Sequence, residues 1–211
     1  MRSDARLCDS RLVLLYNSQI SGNCYKVRLL LAQLGIDYEK REVEVVDRSA
    51  SRDFLDELNP ARRVPTLVLD DGRPLAESNA ILCYFAEGTP YLPDDRYDRA
   101  KVLQWLFFEQ YEHEPGVAVA RFLLTYSGRS DEFADLIAER QRQGKRALAS
   151  MEQWLESHDW LAAGRYTIAD IALYAYTHAA DEAGIELDVF PAVREWLGRV
   201  TARPGHVPMS T

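Results

Sequence analysis

The chain has 211 residues, 47% of them hydrophobic and 27% charged, which fits a globular protein with room for one large domain or two modest ones. A formal net charge of −8 argues against nucleic acid or an anionic membrane as the main partner. Three cysteines, Cys8, Cys24 and Cys83, leave one over from any pairing, a count that fits a reducing compartment better than a disulfide framework.

Residues 1–11 carry Arg2, Arg6 and Arg11 but no long apolar run follows, so they read as an extended or disordered tail and not as a targeting signal. Nothing later approaches a membrane span, and the cytoplasm is the expected location. Leu12 to Tyr16 is an apolar, β-prone run, and residues 17–22 are loop-like. Val27, Leu30, Leu31 and Leu34 then recur at helical spacing, with Gly35 as the expected C-cap. Tyr38 to Val46 alternates as a second strand, and Ser51 to Leu58 is expected to form a short helix. Thr66 to Leu69 and Arg73 to Ala76 flank Asp71-Gly72, a strong hairpin signal. Ser78 to Glu87 reads as another helix. The order is β-α-β-α-β-β-α, a parallel unit followed by an antiparallel hairpin, over residues 12–87.

Two prolines and a glycine interrupt the pattern in residues 88–95, which reads as a linker. Residues 96–211 show only helical patterning. The first helical stretch, 97–126, contains Pro115-Gly116, which must kink or split it. A second spans 131–158, with Phe133, Ile137, Leu148, Met151 and Leu155 along one stripe. Thr167 to Ala183 and Pro191 to Ala202 form a third and fourth.

Common nucleotide, zinc-protease and dithiol motifs are missing: there is no G-x-G-x-x-G, G-x-x-x-x-G-K, H-E-x-x-H or C-x-x-C. Three short motifs remain. Ser21-Gly22-Asn23-Cys24 opens the first helix, where free N–H groups and the helix dipole favour an anion. Serine stands in the first, nucleophilic place of a C-x-x-C spacing. It cannot form a mixed disulfide, but it can stabilise a sulfur anion brought by another molecule. The ordinary alternative is that Ser21 or Asn23 merely caps the helix, and Cys24 reads as a buried small side chain. In Arg63-Val64-Pro65-Thr66 the proline precedes a strand and is a candidate cis residue. A cis bond would free the Val64 backbone to pair with an extended peptide, and Arg63 could hold a carboxylate; the ordinary alternative is a trans proline at a strand's first residue. In Glu77-Ser78-Asn79, Ser78 either caps the next helix or clasps an α-carboxylate, leaving Glu77 to meet an ammonium group. Together these motifs describe a receptor for a small peptide with a thiol in its middle and charged ends.

The segments S-G-N-C-Y-K-V-R, N-P-A-R-R-V-P-T-L and L-A-E-S-N-A-I-L resemble the glutathione S-transferase superfamily, in particular its bacterial members, and the resemblance covers roughly residues 12–205. It implies an N-terminal thioredoxin-like α/β domain and an all-α, helical-bundle C-terminal domain. It also implies glutathione as substrate or cosubstrate, a homodimer, and a detoxifying transfer of the activated thiol to a small, largely apolar electrophile. Glutathione-dependent disulfide or peroxide reduction, isomerisation, dehalogenation and non-enzymatic regulatory binding are the alternatives within the same resemblance. Carried over by motif, Ser21 would donate to the glutathione sulfur with Asn23 as helper or rival and Ser18 as a weaker candidate. Val64 would pair with the cysteinyl backbone beside a cis Pro65, Arg63 would meet the glycyl carboxylate, and Glu77 and Ser78 would hold the γ-glutamyl end. Arg62 departs from the pattern, since relatives often have glycine there. Thr167 to Asp170 matches the family's capping box, with Tyr166 and Ile171 as its hydrophobic staple.

Trp105, Phe108 and Tyr111 recur near helical spacing and are expected to line an apolar second-substrate pocket, with core packing as the alternative. Glu109, Glu112 and His113 have the spacing of a metal face, but a domain-facing helix surface is the preferred reading and no metal is expected. His178 reads as a packing residue.

Overall fold

The computed structural model describes residues 13–47 and 53–211. The tail expected over residues 1–11, and the start of the helix expected from Ser51, lie outside the described residues. The first half contains strands β1 (Val13–Asn17), β2 (Tyr38–Glu42), β3 (Thr66–Val68) and β4 (Pro74–Ala76), with helices α1 (Gly22–Leu34) and α2 (Ser78–Ala86). The sheet order is β2-β1-β3-β4. β1 and β2 are parallel, and the other two pairings are antiparallel. Strand alternation sorts its side chains: Leu15 and its partner Leu67 pack with Val27, Leu31 and Ile81, whereas Tyr16 faces the other way toward Val43 and Leu55. Gly35 ends α1 in the left-handed region at φ 66°, as its spacing predicts.

Two elements are shorter than their patterns suggest. The ladder of β2 ends at Glu42, with one further bond from Val43 N–H to Asn17 O. The helix expected up to Leu58 is a single 3-10 turn, Asp53–Leu55, in which only Leu55 is buried. One apolar anchor cannot offset the cost of nucleating a longer helix.

Helices α3 (Arg96–Phe108), α4 (Glu114–Arg121), α5 (Ala134–Leu155), α6 (Ile168–Thr177) and α7 (Pro191–Thr201) build the second half. No strand follows Ala76 among the described residues, so the chain is a thioredoxin-like α/β domain joined to a helical one. The helix expected to reach Ala183 stops at Thr177, beyond which i→i+3 bonds tighten the chain toward Gly184. No helix among the described residues is long and apolar enough to cross a membrane.

Pro115 does not split its helix. A π-helical turn, Glu109–His113, precedes it, and the Glu114 N–H bonds the Glu109 carbonyl. The wider turn accommodates a residue that has no N–H of its own and would clash with the carbonyl four residues back. That carbonyl, on Tyr111, faces Gln143 Nε2 of α5 at 3.4 Å. A second π turn, Phe122–Tyr126, closes the run.

One large core joins the halves. Tyr25, Leu29 and Leu30 of α1 and Leu82 of α2 share it with Leu106, Leu148, Leu173 and Trp196. The capping box forms: Thr167 Oγ1 accepts from Ala169 N–H, and Asp170 Oδ2 accepts from Thr167 N–H at 2.9 Å. Asp170 Oδ1 also accepts from Trp196 Nε1 at 2.9 Å and Leu161 N–H at 3.1 Å, which ties α6 to α7. Burial pushes its carboxyl up to about 6 in spite of these donors. Tyr166 and Ile171 lie in the same core.

Helices α4 and α5 cross on bare backbone: a Cβ on Gly116 would stand 2.4 Å from Gly144 N. Gly198 of α7 has nothing within 4 Å of its Cβ position. Gly116→Ala is therefore expected to destabilise the fold by roughly 1–3 kcal/mol. Gly198→Ala should instead stabilise it by up to about 1 kcal/mol. Thermal unfolding of the two variants beside the wild type reads both signs.

Candidate functional site

The β1–α1 connection brings Ser21 to the N-terminus of α1 as its cap, at φ −82° and ψ 118°. Its Oγ accepts from Cys24 N–H at 3.3 Å, while its proton has no partner among the described residues. The cap and the donor readings are thus compatible in one side chain. Gly22 is needed here because a Cβ would lie 2.6 Å from the Tyr176 ring of α6. Cys24 is fully buried and accepts from Ser18 N–H, and burial pushes its thiol up to about 11. It is a packing residue. Ser18 is 5% exposed and does not border the cleft.

A buried guanidinium holds this connection. Arg28 Nη1 donates to Asn17 Oδ1 at 2.7 Å, and Nη2 donates to Met209 O at 2.7 Å and Gln19 O at 3.4 Å. The spacing of apolar residues along α1 gives no hint of it, since a charge on a buried face violates that pattern.

Asn23 faces the partner half of the chain. Its Nδ2 approaches Glu114 Oε1 at 3.4 Å, and its Oδ1 accepts from Ser78 Oγ at 3.3 Å. Ser78 in turn accepts from Lys26 Nζ at 3.3 Å. Lys26 and Glu109 form an ion pair of 2.8 Å with both side chains 0% exposed. Asn79 Nδ2 donates to the same Glu109 oxygen at 3.1 Å. Ser78 is the first residue of α2 and not its cap; that position belongs to Glu77, whose side chain makes no capping bond. The Glu77 backbone lies at φ 66°, a costly conformation for a residue with a Cβ, in a segment next to the site.

The Val64–Pro65 bond is cis. Neither the N–H nor the C=O of Val64 has a hydrogen-bond partner among the described residues. Asn59 and Thr66 both bond the Arg63 carbonyl, at 3.1 and 2.7 Å, and so fix the loop from below. Arg62 adopts φ 50°, the region that favours glycine, and its side chain turns to Asp53 at 3.0 Å and to Asp56. Arg63 is left to border the site.

These residues surround two connected spaces. Ser21, Asn23, Arg63 and Val64 line a cleft of about 740 Å³, whose apolar wall is Ala118, Val119, Phe122, Leu123 and Tyr176. Arg63, Val64, Pro65, Glu77 and Ser78 line a polar slot of about 90 Å³ beside it. Asn23 and Glu114 border both. Trp105, Phe108 and Tyr111, expected at a second-substrate pocket, lie apart from this cleft. Trp105 is 6% exposed and packs edge-on against Phe108 and Trp154, at centroid distances of 5.2 and 6.0 Å, whereas Tyr111 is 78% exposed. None borders the cleft. Along this run Gln110 borders the slot, and Glu114, just past the π turn, is the first residue to border the cleft.

Glu109 and His113 face inward: His113 Nε2 meets Thr177 Oγ1 at 2.9 Å, and burial with the nearby Lys26 ammonium pulls its imidazole down to about 3. No group of three metal-ligating side chains gathers among the described residues. His178 stacks on Tyr174. Glu114, Tyr176 and the wall of α4 were invisible to motif reading. Only the helical spacing of Ala118 and Phe122 hints at a shared face.

Two family models match the chain: Glutathione S-transferase, N-terminal domain, over residues 15–91, and Glutathione S-transferase, C-terminal domain, over residues 117–204. The crystal structure of a glutathione S-transferase from Pseudomonas fluorescens superposes with a TM-score of 0.90 at 44% identity, covering 95% of this chain and 100% of that one. The disulfide-bond oxidoreductase YfcG of Escherichia coli is 30% identical, over 86% of this chain and 87% of its own. The maleylacetoacetate isomerase of Pseudomonas aeruginosa is also 30% identical, over 90% and 92%. With its sheet, helical half and site arranged as above, the chain belongs to the glutathione S-transferase family.

Proposed function

We infer that the chain is a glutathione transferase that stabilises the bound thiol as a thiolate for attack on a small, largely apolar electrophile. The observation that carries this reading is the free Ser21 hydroxyl proton at the N-terminus of α1, bordering the cleft that shares Asn23, Arg63 and Val64 with the polar slot. A free thiol of pKa about 8.5 is only about 3% ionised at pH 7, and lowering it by about two units takes roughly 2.7 kcal/mol. One charge-assisted hydrogen bond of roughly 1.5–3 kcal/mol with a helix-end contribution of about 0.3–1 kcal/mol supplies that. Asn23 is committed to Glu114 and Ser78, which favours Ser21 as the donor. Arg63 takes the glycyl carboxylate, the open Val64 backbone pairs with the cysteinyl unit beside Pro65, and Glu77 and Ser78 hold the γ-glutamyl end.

The relatives named as an oxidoreductase and an isomerase support a second reading, in which the same thiolate reduces disulfides or serves as a cofactor. Cys24 is fully buried, so in that reading the thiol that attacks a disulfide at this site is that of glutathione.

We also infer a homodimer. Tyr97, Phe107 and Tyr111 expose 72%, 71% and 78% of their surface along α3 and its π turn, an apolar display that a second copy would cover.

Ultraviolet titration of bound glutathione tests the first reading. Ser21→Ala should raise the bound thiol's pKa by about 1–2 units and lower turnover at pH 7 by roughly 10–100-fold, with a smaller change for Asn23→Ala. An unchanged pKa in Ser21→Ala would remove Ser21 from the role. Sedimentation equilibrium should return twice the chain mass for the wild type and a monomer for the Phe107→Asp, Tyr111→Asp double variant; a monomeric wild type refutes the dimer.

A further inference from the structure

Glu114 borders both the polar slot and the cleft with its apolar wall of Ala118, Val119, Phe122, Leu123 and Tyr176. The other carboxylates at the site do not: Asp53 borders only the cleft and pairs with Arg62, and Glu77 borders only the slot. The π turn ending at His113 delivers Glu114 to this position, with Oε1 at 3.4 Å from the amide of Asn23, two residues beyond Ser21. Charged and titratable groups face it from every side. Lys26 stands on α1, Arg63 on the loop before β3, Tyr176 on α6 and Glu109 one turn back in its own helical run. Burial and Glu109 raise its pKa above the ordinary carboxylate value, against the pull of Lys26, the Asn23 bond and Arg63. A desolvated carboxyl bordering both spaces has the properties of a proton-transfer group.

We propose that Glu114 is the general acid of the transfer step, and that it selects electrophiles that must take up a proton after thiolate attack, α,β-unsaturated carbonyl compounds above all. This rests on the transferase reading given above. Ser21 holds the bound sulfur as a thiolate whose proton has passed to solvent. The thiolate adds to the β-carbon, the C–S bond forms, and the π pair of the alkene moves to the α-carbon as the enolate. Protonated Glu114 gives its proton to the α-carbon and takes up another from solvent before the next turnover. One thiol and one enone give one thioether, with no oxidant and no leaving group. An aryl halide asks nothing of this acid, because it expels halide and the thiol proton passes to solvent.

Glu114→Gln keeps the size of the side chain and an oxygen for Asn23 but cannot shuttle a proton. With an α-methyl cyclic enone its kcat/KM should fall by about 10²-fold. With a chlorodinitrobenzene it should stay within about threefold, and the KM for glutathione should not move. In heavy water the wild type should deliver deuterium to one face of the α-carbon, and the variant should give a mixture of both faces. Equal losses on the two electrophiles, a raised KM for glutathione with both, or unchanged enone turnover and stereochemistry would each overturn the proposal. A wild type that binds glutathione and conjugates neither electrophile would overturn the transferase reading itself, and this inference with it.

Discussion

The Lys26–Glu109 ion pair joins the two halves of the molecule directly beneath the site. Both side chains are fully removed from solvent, 2.8 Å apart. Taking two charges out of water is costly, and the pair repays this only when its remaining hydrogen-bonding capacity is met. Ser78 and Asn79 meet part of it, so the pair also ties down the start of α2. Removing either charge would strand the other, at a cost of roughly 3–5 kcal/mol. The pair adds less to net stability than to registry. Any displacement of α1 against the helical half exposes an uncompensated charge to an apolar interior, so Asn23 and Glu114 are held opposite each other across the cleft.

A second layer of polar contacts shapes the walls from behind. Arg28 gathers Asn17, the Gln19 carbonyl and the carbonyl of Met209 around the loop that ends at Ser21. Asn59 and Thr66 hold the Arg63 carbonyl, and Arg62 is drawn away toward Asp53 and Asp56. Two residues bordering the site, Arg62 and Glu77, carry positive φ despite having side chains. Each such conformation costs of order 1–3 kcal/mol and persists only where its surroundings over-determine it. Here those surroundings are the Arg62 ion pairs on one side and the start of α2 on the other.

Local features were legible in the sequence because their physics is local. Gly35 ends α1 since glycine alone enters the left-handed region without penalty, and Asp71-Gly72 turns a hairpin for the same reason. Thr167 and Asp170 form their capping box within four residues. The polar residues of the slot were found because each sits in a short motif at an element boundary. Pro115 marked a disturbance correctly, but whether the chain would split or widen into a π turn depended on α5 passing beside it at Gly144 and Gln143.

The sequence by itself determined the order of strands and helices, the caps at Gly35 and Thr167, the Asp71-Gly72 turn, the purely helical second half, and the motif residues that line the polar slot. Each is set by backbone preference or by a period within one segment. Only the tertiary structure decided which side of the helical run faces the slot, and so that Glu114, Phe122 and Tyr176 border the cleft while Trp105 packs in the core and Tyr111 faces outward. Apolar periodicity reports that a face is covered but not by what. The π turn before Glu114 and the close contact of Gly22 with Tyr176 arise from residues far apart in the chain.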